Sequence, residues 1–285
     1  MTMLQFYKKV NERNVSMNNY RHLIALDLDG TLLQNDRTIS ERTRKVIEQV
    51  KNKGHIVMIA TGRPYRASEM YYRELHLDTP IVNFNGAYVH HPKDKNWGVY
   101  HKPLPLSTVK EIVDITNKYS VNNIIAEVLD RIYLHYHDEK LIDIFKLGNP
   151  VVTSGDLRKF LKNDPTSLMI HSDEQNIGKI NDYLAETQAE VIEHRSWGAP
   201  FPVIEIVKHG INKAIGVKKV ADYYGIPRER IVAFGDEDND LEMLEYAGYG
   251  VAMGNAIDEA KNAARDVTLT NEEDGVAEYL ENMFL

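Results

Sequence analysis

The stretch His22-Leu-Ile-Ala-Leu-Asp27-Leu-Asp29-Gly30-Thr31-Leu-Leu joins an apolar run of strand length to two carboxylates two residues apart. Alternate residues of a strand point the same way, so Asp27 and Asp29 are expected to face one pocket beyond the strand's C-terminal end. Two anions brought together out of bulk water repel one another. The arrangement holds if a cation sits between them or if one retains a proton. A divalent metal, a nucleophilic carboxylate and an adjacent acid/base carboxylate satisfy both conditions. A strand closed by an ordinary Asp-Gly turn also fits these twelve residues, and the rest of the chain has to separate the two readings.

Downstream, strands and helices alternate. Ser40 is placed to cap a helix in which Val46, Ile47 and Val50 recur at helical spacing before Gly54 stops it. A second apolar strand, Ile56 to Ala60, closes at Thr61-Gly62-Arg63, and Pro64 opens another helix, where its missing N–H costs nothing. A third strand, Pro80 to Asn83, runs into Asn85-Gly86. Strand–helix–strand repeats with helix-length connections predict a parallel sheet with right-handed crossovers, that is, a doubly wound, Rossmann-like α/β core. Residues 86–102 change to a Gly/Pro/His/Lys-rich texture, expected to be loop. A second set of elements fills 104–207: helices over 107–119, 138–147 and 175–187, with strands near 124–136, 167–171, 190–195 and 203–207. The core pattern resumes with a helix over 212–224, the strand Ile231–Phe234, Gly235-Asp236, and a helix from near Asp240. Short strands near 250 and 267 and a final helix from Gly275 complete it. The division expected is an N-terminal extension over 1–19, a core built from 20–85 plus 209–285, and an α/β domain inserted over 86–208.

Composition excludes several classes. The chain has 285 residues, 43% hydrophobic and 27% charged, which suits a globular protein. Its net charge of −8 and its scattered lysines and arginines argue against nucleic acid as a partner. No apolar run is long enough to span a bilayer, so no membrane partner is expected. Met1 to Asn19 lacks the apolar core and small-residue cleavage site of a secretory signal. It reads as a polar extension, and Met17 is a second candidate start. With no cysteine there are no disulfides, thiolate metal sites or cysteine nucleophile, which accords with a cytoplasmic location.

Three further sites fall at or beside the C-terminal ends of core strands, where open α/β sheets bind ligands. Thr61-Gly62 offers a hydroxyl and a backbone open to an anion at a helix start, or merely a capped loop. Lys213 stands near the start of a helix, where a solvated surface lysine is the ordinary alternative. Gly235-Asp236-Glu-Asp-Asn239-Asp240 follows an apolar strand and also fits a helix cap. Taken in order, Asp27-x-Asp29-x-Thr31, Thr61-Gly62, Lys213 and Gly235-Asp236-x-x-Asn239-Asp240 resemble the four motifs of the haloacid dehalogenase-like phosphatases. Ala60-Thr-Gly-Arg, Asn85-Gly-Ala, Val251-Ala-Met-Gly-Asn-Ala and Glu273-Asp-Gly-Val-Ala resemble the Cof-type branch, which carries a large α/β cap between its second and third motifs. The resemblance runs from Tyr20 to the C-terminus. Ala214 and Asn212 depart from the usual Gly and Ser without removing a functional group.

The resemblance implies a Mg²⁺-dependent phosphatase of small phosphorylated metabolites, sugar phosphates or their relatives. It makes Asp27 the nucleophile that forms an aspartyl-phosphate, and Asp29 the acid/base that serves the leaving alcohol and then the attacking water. Mg²⁺ is expected on Asp27, Asp236 and the backbone carbonyl of Asp29, supported by Asp240. Thr61, Gly62, Lys213, Asn239 and the Leu28 amide are expected on the phosphoryl oxygens, where positioning and charge neutralisation do most of the catalytic work. A sugar phosphomutase and a catalytically idle regulatory homologue are the alternatives. The first counts on a smaller cap than this chain carries, and the second on a missing nucleophile, whereas Asp27 is present. Arg63 and Arg66 are expected to pair with nearby carboxylates and are left out of the site. His90, His91 and His101 have no acidic partner at ligand spacing and are not expected to bind metal. Asn85 and Gly86 are expected to shape the first crossing into the insertion.

Overall fold

A computed structural model describes residues 21–116, 118–188, 192–197 and 202–285, so the expected extension over 1–19 lies outside the described residues. Strands β1 (Leu23–Leu26), β2 (Ile56–Ile59) and β3 (Ile81–Asn83) alternate with helices Glu41–Asn52 and Tyr65–Glu74. β1 pairs in parallel with β2, and a parallel bridge from Ala60 to Val82 carries β3 onto the same edge. Ser40 accepts from the Thr43 amide at 3.0 Å and Pro64 sits at the cap of the second helix, as their sequence positions predict. Residues 86–102 are not loop throughout. β4 (Tyr88–His90) and β5 (Val99–His101) form an antiparallel extension of β3, because Tyr88-Val89-His90 and Val99-Tyr100-His101 alternate enough to pair once β3 supplies an edge.

The second sheet is built from β6 (Val121–Val128), β7 (Arg131–Leu134), β8 (Val152–Ser154), β9 (Ser167–Ser172), β10 (Ile192–Trp197) and β11 (Val203–Lys208), in the order β10-β11-β9-β6-β7-β8. Its pairings are antiparallel except for β7 with β8. The strand material expected near 124–136 is a hairpin turned at Leu129-Asp130, where Leu129 takes φ +53°. Helices Leu106–Thr116, Leu157–Phe160 and Glu174–Gln188 cover one face of this sheet through Val109, Ile112, Leu157, Ile180 and Leu184. Its other face carries Ile125, Ile132, Leu134, Met169 and Val203, packed against the helix Glu139–Phe145.

After β11 the chain re-enters the first sheet. Helix Lys213–Tyr224 is followed by β12 (Ile231–Gly235), helix Leu241–Tyr246, β13 (Tyr249–Ala252), helix Asp258–Ala263, β14 (Asp266–Val267) and helix Gly275–Phe284. The parallel order β14-β13-β12-β1-β2 puts β1 between β12 and β2. Alternate residues of β1 supply both faces: Ile24 and Leu26 pack with the helices Glu41–Asn52 and Gly275–Phe284, Leu23 and Ala25 with the helix Lys213–Tyr224. This is the doubly wound pattern. The two crossings between the sheets are anchored on one turn. The outgoing crossing starts after β5 at Lys102, whose amide donates to the Ala87 carbonyl at 2.8 Å. Phe84, Asn85 and Gly86, which turn β3 into β4, run at φ +50°, +53° and +101°, and a Cβ on Gly86 would collide with the Asn212 carbonyl on the returning chain.

Candidate active site

The C-terminal ends of β1, β2 and β12 converge on a cleft of about 370 Å³ whose opposite wall is the second sheet. Asp27 leaves β1 into a tight turn, Leu28–Leu32, in which Gly30 takes φ +71°. A Cβ at Gly30 would collide with the Asp236 carboxylate, so glycine is what lets this turn approach the loop after β12. Asn255, in the Val251–Ala256 segment, donates to the Gly30 carbonyl at 2.8 Å, and Asn271, just ahead of Glu273, donates to the Leu33 carbonyl at 2.9 Å, so both late loops brace the turn after β1.

Beneath the cleft floor, Lys213 Nζ lies 2.7 Å from Asp27 Oδ1 and 2.7 Å from Asp240 Oδ1. The lysine is fully buried, which excludes the solvated-surface alternative. Asp240 Oδ2 accepts from the amides of Asp236 and Glu237 at 3.0 and 3.3 Å. Thr31 Oγ1 donates to Asp236 Oδ1 at 2.7 Å. Oxygens of Asp27, Asp236 and Asp240 all lie within 4.8 Å of one another, forming the only such acidic group among the described residues. Burial pushes the Asp27 carboxyl well above the usual carboxylate range, against the pull of Lys213. Burial likewise pushes Asp236 up to about 7, opposed by the Thr31 hydrogen bond. Burial also works against the Lys213 charge, but Asp240 and Asp27 outweigh it and hold the ammonium above its ordinary range. Three carboxylates against one ammonium leave an excess of negative charge among oxygen donors. That is the environment a small hard divalent cation neutralises, so the residues fit Mg²⁺.

Asp29 stands apart from this cluster. Its carboxylate is over half exposed and meets Arg63 in a two-pronged ion pair, with Nε to Oδ2 at 2.7 Å and Nη2 to Oδ1. Arg63 also donates to the Ala67 carbonyl at 3.1 Å. Thr61, Gly62 and Asn239 line the cleft beside Asp27 and Asp29. Leu28 is wholly buried in the core, so only its amide is left to serve a ligand.

Asn85 lies in the turn from β3 to β4 and not, as expected, in the crossing to the second sheet, which follows β5. Its Oδ1 accepts from Asn239 Nδ2 at 3.1 Å and its Nδ2 donates toward Glu205 Oε2 at 3.4 Å, linking a motif asparagine to the second sheet. Arg63 and Arg66 pair with carboxylates as expected, yet both also line the cleft. The sequence reading did not single out the wall opposite: Glu127, Phe145, Met169 and Glu205. The available signal was a carboxylate inside an apolar strand, as in Ile124-Ile-Ala-Glu127-Val and Val203-Ile-Glu205-Ile-Val. His90 stacks on Tyr88, His101 Nε2 meets the Thr166 hydroxyl at 3.0 Å and His91 accepts from two amides, so the histidines form no cluster.

Comparison with known proteins gives a consistent set of relatives. The haloacid dehalogenase-like hydrolase family profile matches residues 24–280. The 5-amino-6-(5-phospho-D-ribitylamino)uracil phosphatase YitU of Bacillus subtilis is 60% identical over 263 residues, covering 92% of this chain and 97% of that protein. The pyridoxal phosphate phosphatase YbhA of Escherichia coli is 28% identical, over 90% of this chain and 97% of its own. Among solved structures, a haloacid dehalogenase-like hydrolase from Bacteroides thetaiotaomicron superposes with a TM-score of 0.81 at 28% identity, covering 93% of this chain and all of that one. The subclass IIB sugar phosphatase BT4131 gives 0.76 at 26% identity, covering 91% and 98%.

Proposed function

This chain belongs to the haloacid dehalogenase-like hydrolases, as a Cof-type phosphatase acting on phosphoric monoesters, and from that premise we propose that its substrate is 5-amino-6-(5-phospho-D-ribitylamino)uracil. The 60% identity to the Bacillus subtilis enzyme supports the substrate. One observation carries the chemistry: Asp27 lies on the cleft floor with Lys213 at 2.7 Å and an Asp236 oxygen within 4.8 Å.

In this reading an Asp27 carboxylate oxygen attacks phosphorus, the ester P–O bond breaks, and the oxygen that stays on the ribityl carbon takes a proton from Asp29 and leaves as the alcohol. Water, deprotonated by Asp29, then attacks the aspartyl-phosphate and releases inorganic phosphate and free Asp27. Lys213, Asn239, Thr61 and the amides of Gly62 and Leu28 hold the phosphoryl oxygens. Mg²⁺, when bound, neutralises charge on those oxygens. Asp27, Asp236 and the Asp29 carbonyl would hold it, with Asp240 behind them. Asp240 spends both oxygens on Lys213 and the 236–237 amides, so it positions the lysine and the Asp236 loop. To reach the leaving oxygen, Asp29 must first leave its two-pronged contact with Arg63. The inserted domain, whose own sheet begins only after β5, is assigned the choice of leaving group and the exclusion of water, as a cap does.

Purified protein should release phosphate from the ribitylaminouracil phosphate in preference to pyridoxal 5′-phosphate and 4-nitrophenyl phosphate. Excess chelator should stop turnover and Mg²⁺ should restore it, with Ca²⁺ a poor substitute. Full turnover in chelator would overturn the metal assignment. A stronger preference for pyridoxal phosphate would overturn the substrate.

A further inference from the structure

Two arginines follow the second strand three residues apart, and their side chains are satisfied very differently. Arg63 places Nε and Nη2 on Asp29 and Nη1 on the Ala67 carbonyl. Arg66 makes a single side-chain bond, Nη2 to Glu127 Oε1 at 2.5 Å, and its Nε and Nη1 are buried with no hydrogen-bond partner. Its side chain is 6% exposed, and both it and Glu127 line the cleft. Guanidinium donors left unpaired out of water are costly, and a brace of purely structural purpose would fork onto its carboxylate as Arg63 does. An acceptor on a ligand in the cleft would complete the set.

The neighbours define that ligand. Glu127 is held by Arg66 on one oxygen and by the Ser167 hydroxyl at 3.3 Å on the other. Glu205 lies directly across from Met169 in the pairing of β11 with β9, and Phe145 closes the same wall. Two buried carboxylates repel a second anionic group and accept from N–H and O–H donors, while Met169 and Phe145 offer apolar surface to a flat ring. The part of the substrate beyond the phosphate is therefore uncharged, with oxygen acceptors and N–H or O–H donors around a flat ring. We propose that Arg66 is a specificity-determining residue that donates from its unpaired edge to a carbonyl oxygen of the leaving group. This rests on the substrate reading above, in which the acceptor belongs to the uracil ring.

The test uses the full chain and its variants Arg66→Gln and the double Arg66→Met/Glu127→Leu. The double variant removes both charges at once, a replacement that buried ion pairs tolerate, and thermal melts check that each protein folds. Steady-state rates are measured on the ribitylaminouracil phosphate and on 4-nitrophenyl phosphate, together with inhibition by the dephosphorylated ribitylaminouracil. Both variants should lose about 10- to 100-fold in kcat/KM on the uracil substrate, mainly through KM. The ratio of that kcat/KM to the aryl phosphate value should fall at least about tenfold, and the dephosphorylated product should inhibit correspondingly less. Equal losses on both substrates, or a double variant that keeps the parent's ratio, would show that Arg66 only braces Glu127 and overturn the proposal. A parent that leaves the uracil compound untouched while cleaving the aryl phosphate would overturn the substrate reading and, with it, the ring carbonyl as the acceptor.

Discussion

Replacing Lys213 by methionine keeps the length of the side chain and removes the only charge that reaches both Asp27 and Asp240, each at 2.7 Å in a fully buried position. Breaking a buried pair by deleting one partner costs about 3–5 kcal/mol, because the remaining charge is left uncompensated. At roughly 2–4 °C per kcal/mol for a protein of this size, the metal-free variant should melt about 6–20 °C below the parent. The core and the inserted domain need not melt together, so the transition is followed by calorimetry, with the lower-melting event assigned by its response to Mg²⁺. Burial already raises the Asp27 carboxyl. A carboxyl whose folded pKa lies above its unfolded value weakens the fold as pH rises between the two, so the gap to the parent should narrow on going from pH 8 to pH 5. Adding Asp240→Asn to the variant should recover part of the loss by removing the second orphan charge. Turnover should fall at least about 10²–10³-fold, the scale of one lost donor to the phosphoryl oxygens. A metal-free variant melting within about 2 °C of the parent at pH 7.5 would refute the reasoning.

Asp27→Asn should abolish turnover with the fold intact, and phosphate release above background would remove Asp27 as nucleophile. Asp29→Asn should slow turnover about 10²–10⁴-fold, and more for alkyl than for aryl leaving groups, which need less protonation; equal losses would remove it as the general acid. Gly30→Ala adds a Cβ against the Asp236 carboxylate at φ +71°, so the Mg²⁺ concentration for half-activation should rise; an unchanged value would show that the turn yields freely. His55 accepts from the His22 amide at 3.1 Å, and burial holds its pKa down at about 4. The unfolded chain takes up that proton near pH 6.5, so stability is lost as pH falls from there toward 4. The loss is about 1–2 kcal/mol after allowance for a half-buried ring. His55→Asn, whose amide oxygen can take the same amide hydrogen, should show a smaller drop in urea midpoint between pH 7 and pH 4.5 than the parent does.

The centre of the first sheet was legible because β1, β2 and β12 are short apolar runs that end beside residues with chemical purpose: Asp27, Thr61 and Asp236. β1 alternates between two helical layers, so its every residue is apolar and its end is abrupt. β4 and β5 were not legible as strands, since three-residue segments between Gly, Pro and Lys carry too little period to distinguish pairing from loop. β8 and the four-residue helix Leu157–Phe160 were lost for the same reason. Where Lys213 sits could be carried over from family motifs, but its complete burial depends on helix Lys213–Tyr224 packing under β1, which no local signal reports. The far wall was harder still. Glu127 and Glu205 are some eighty residues apart in sequence and share a cleft only because β6 and β11 both flank β9. The roles of Arg66 and Asn85 depend on those same strands.

The contact between Gly86 and Asn212 sets how the two sheets can move. Two connecting strands held far apart would act as a pair of struts and allow only bending about the line between them. Here the outgoing chain starts from a hydrogen bond to Ala87 and the returning chain presses on Gly86, close enough to forbid a side chain there, so one turn anchors both. The joint is therefore nearer to a pivot than to a strap: swivel and tilt about one point are cheap, and sliding the sheets apart stretches both chains at once. Phe84 and Asn85, held at positive φ on one side of the pivot, resist unwinding into extended slack. A single pivot conserves the distance from cleft floor to far wall near the joint, where Asn85 meets Glu205, so any change of aperture grows with distance from that contact.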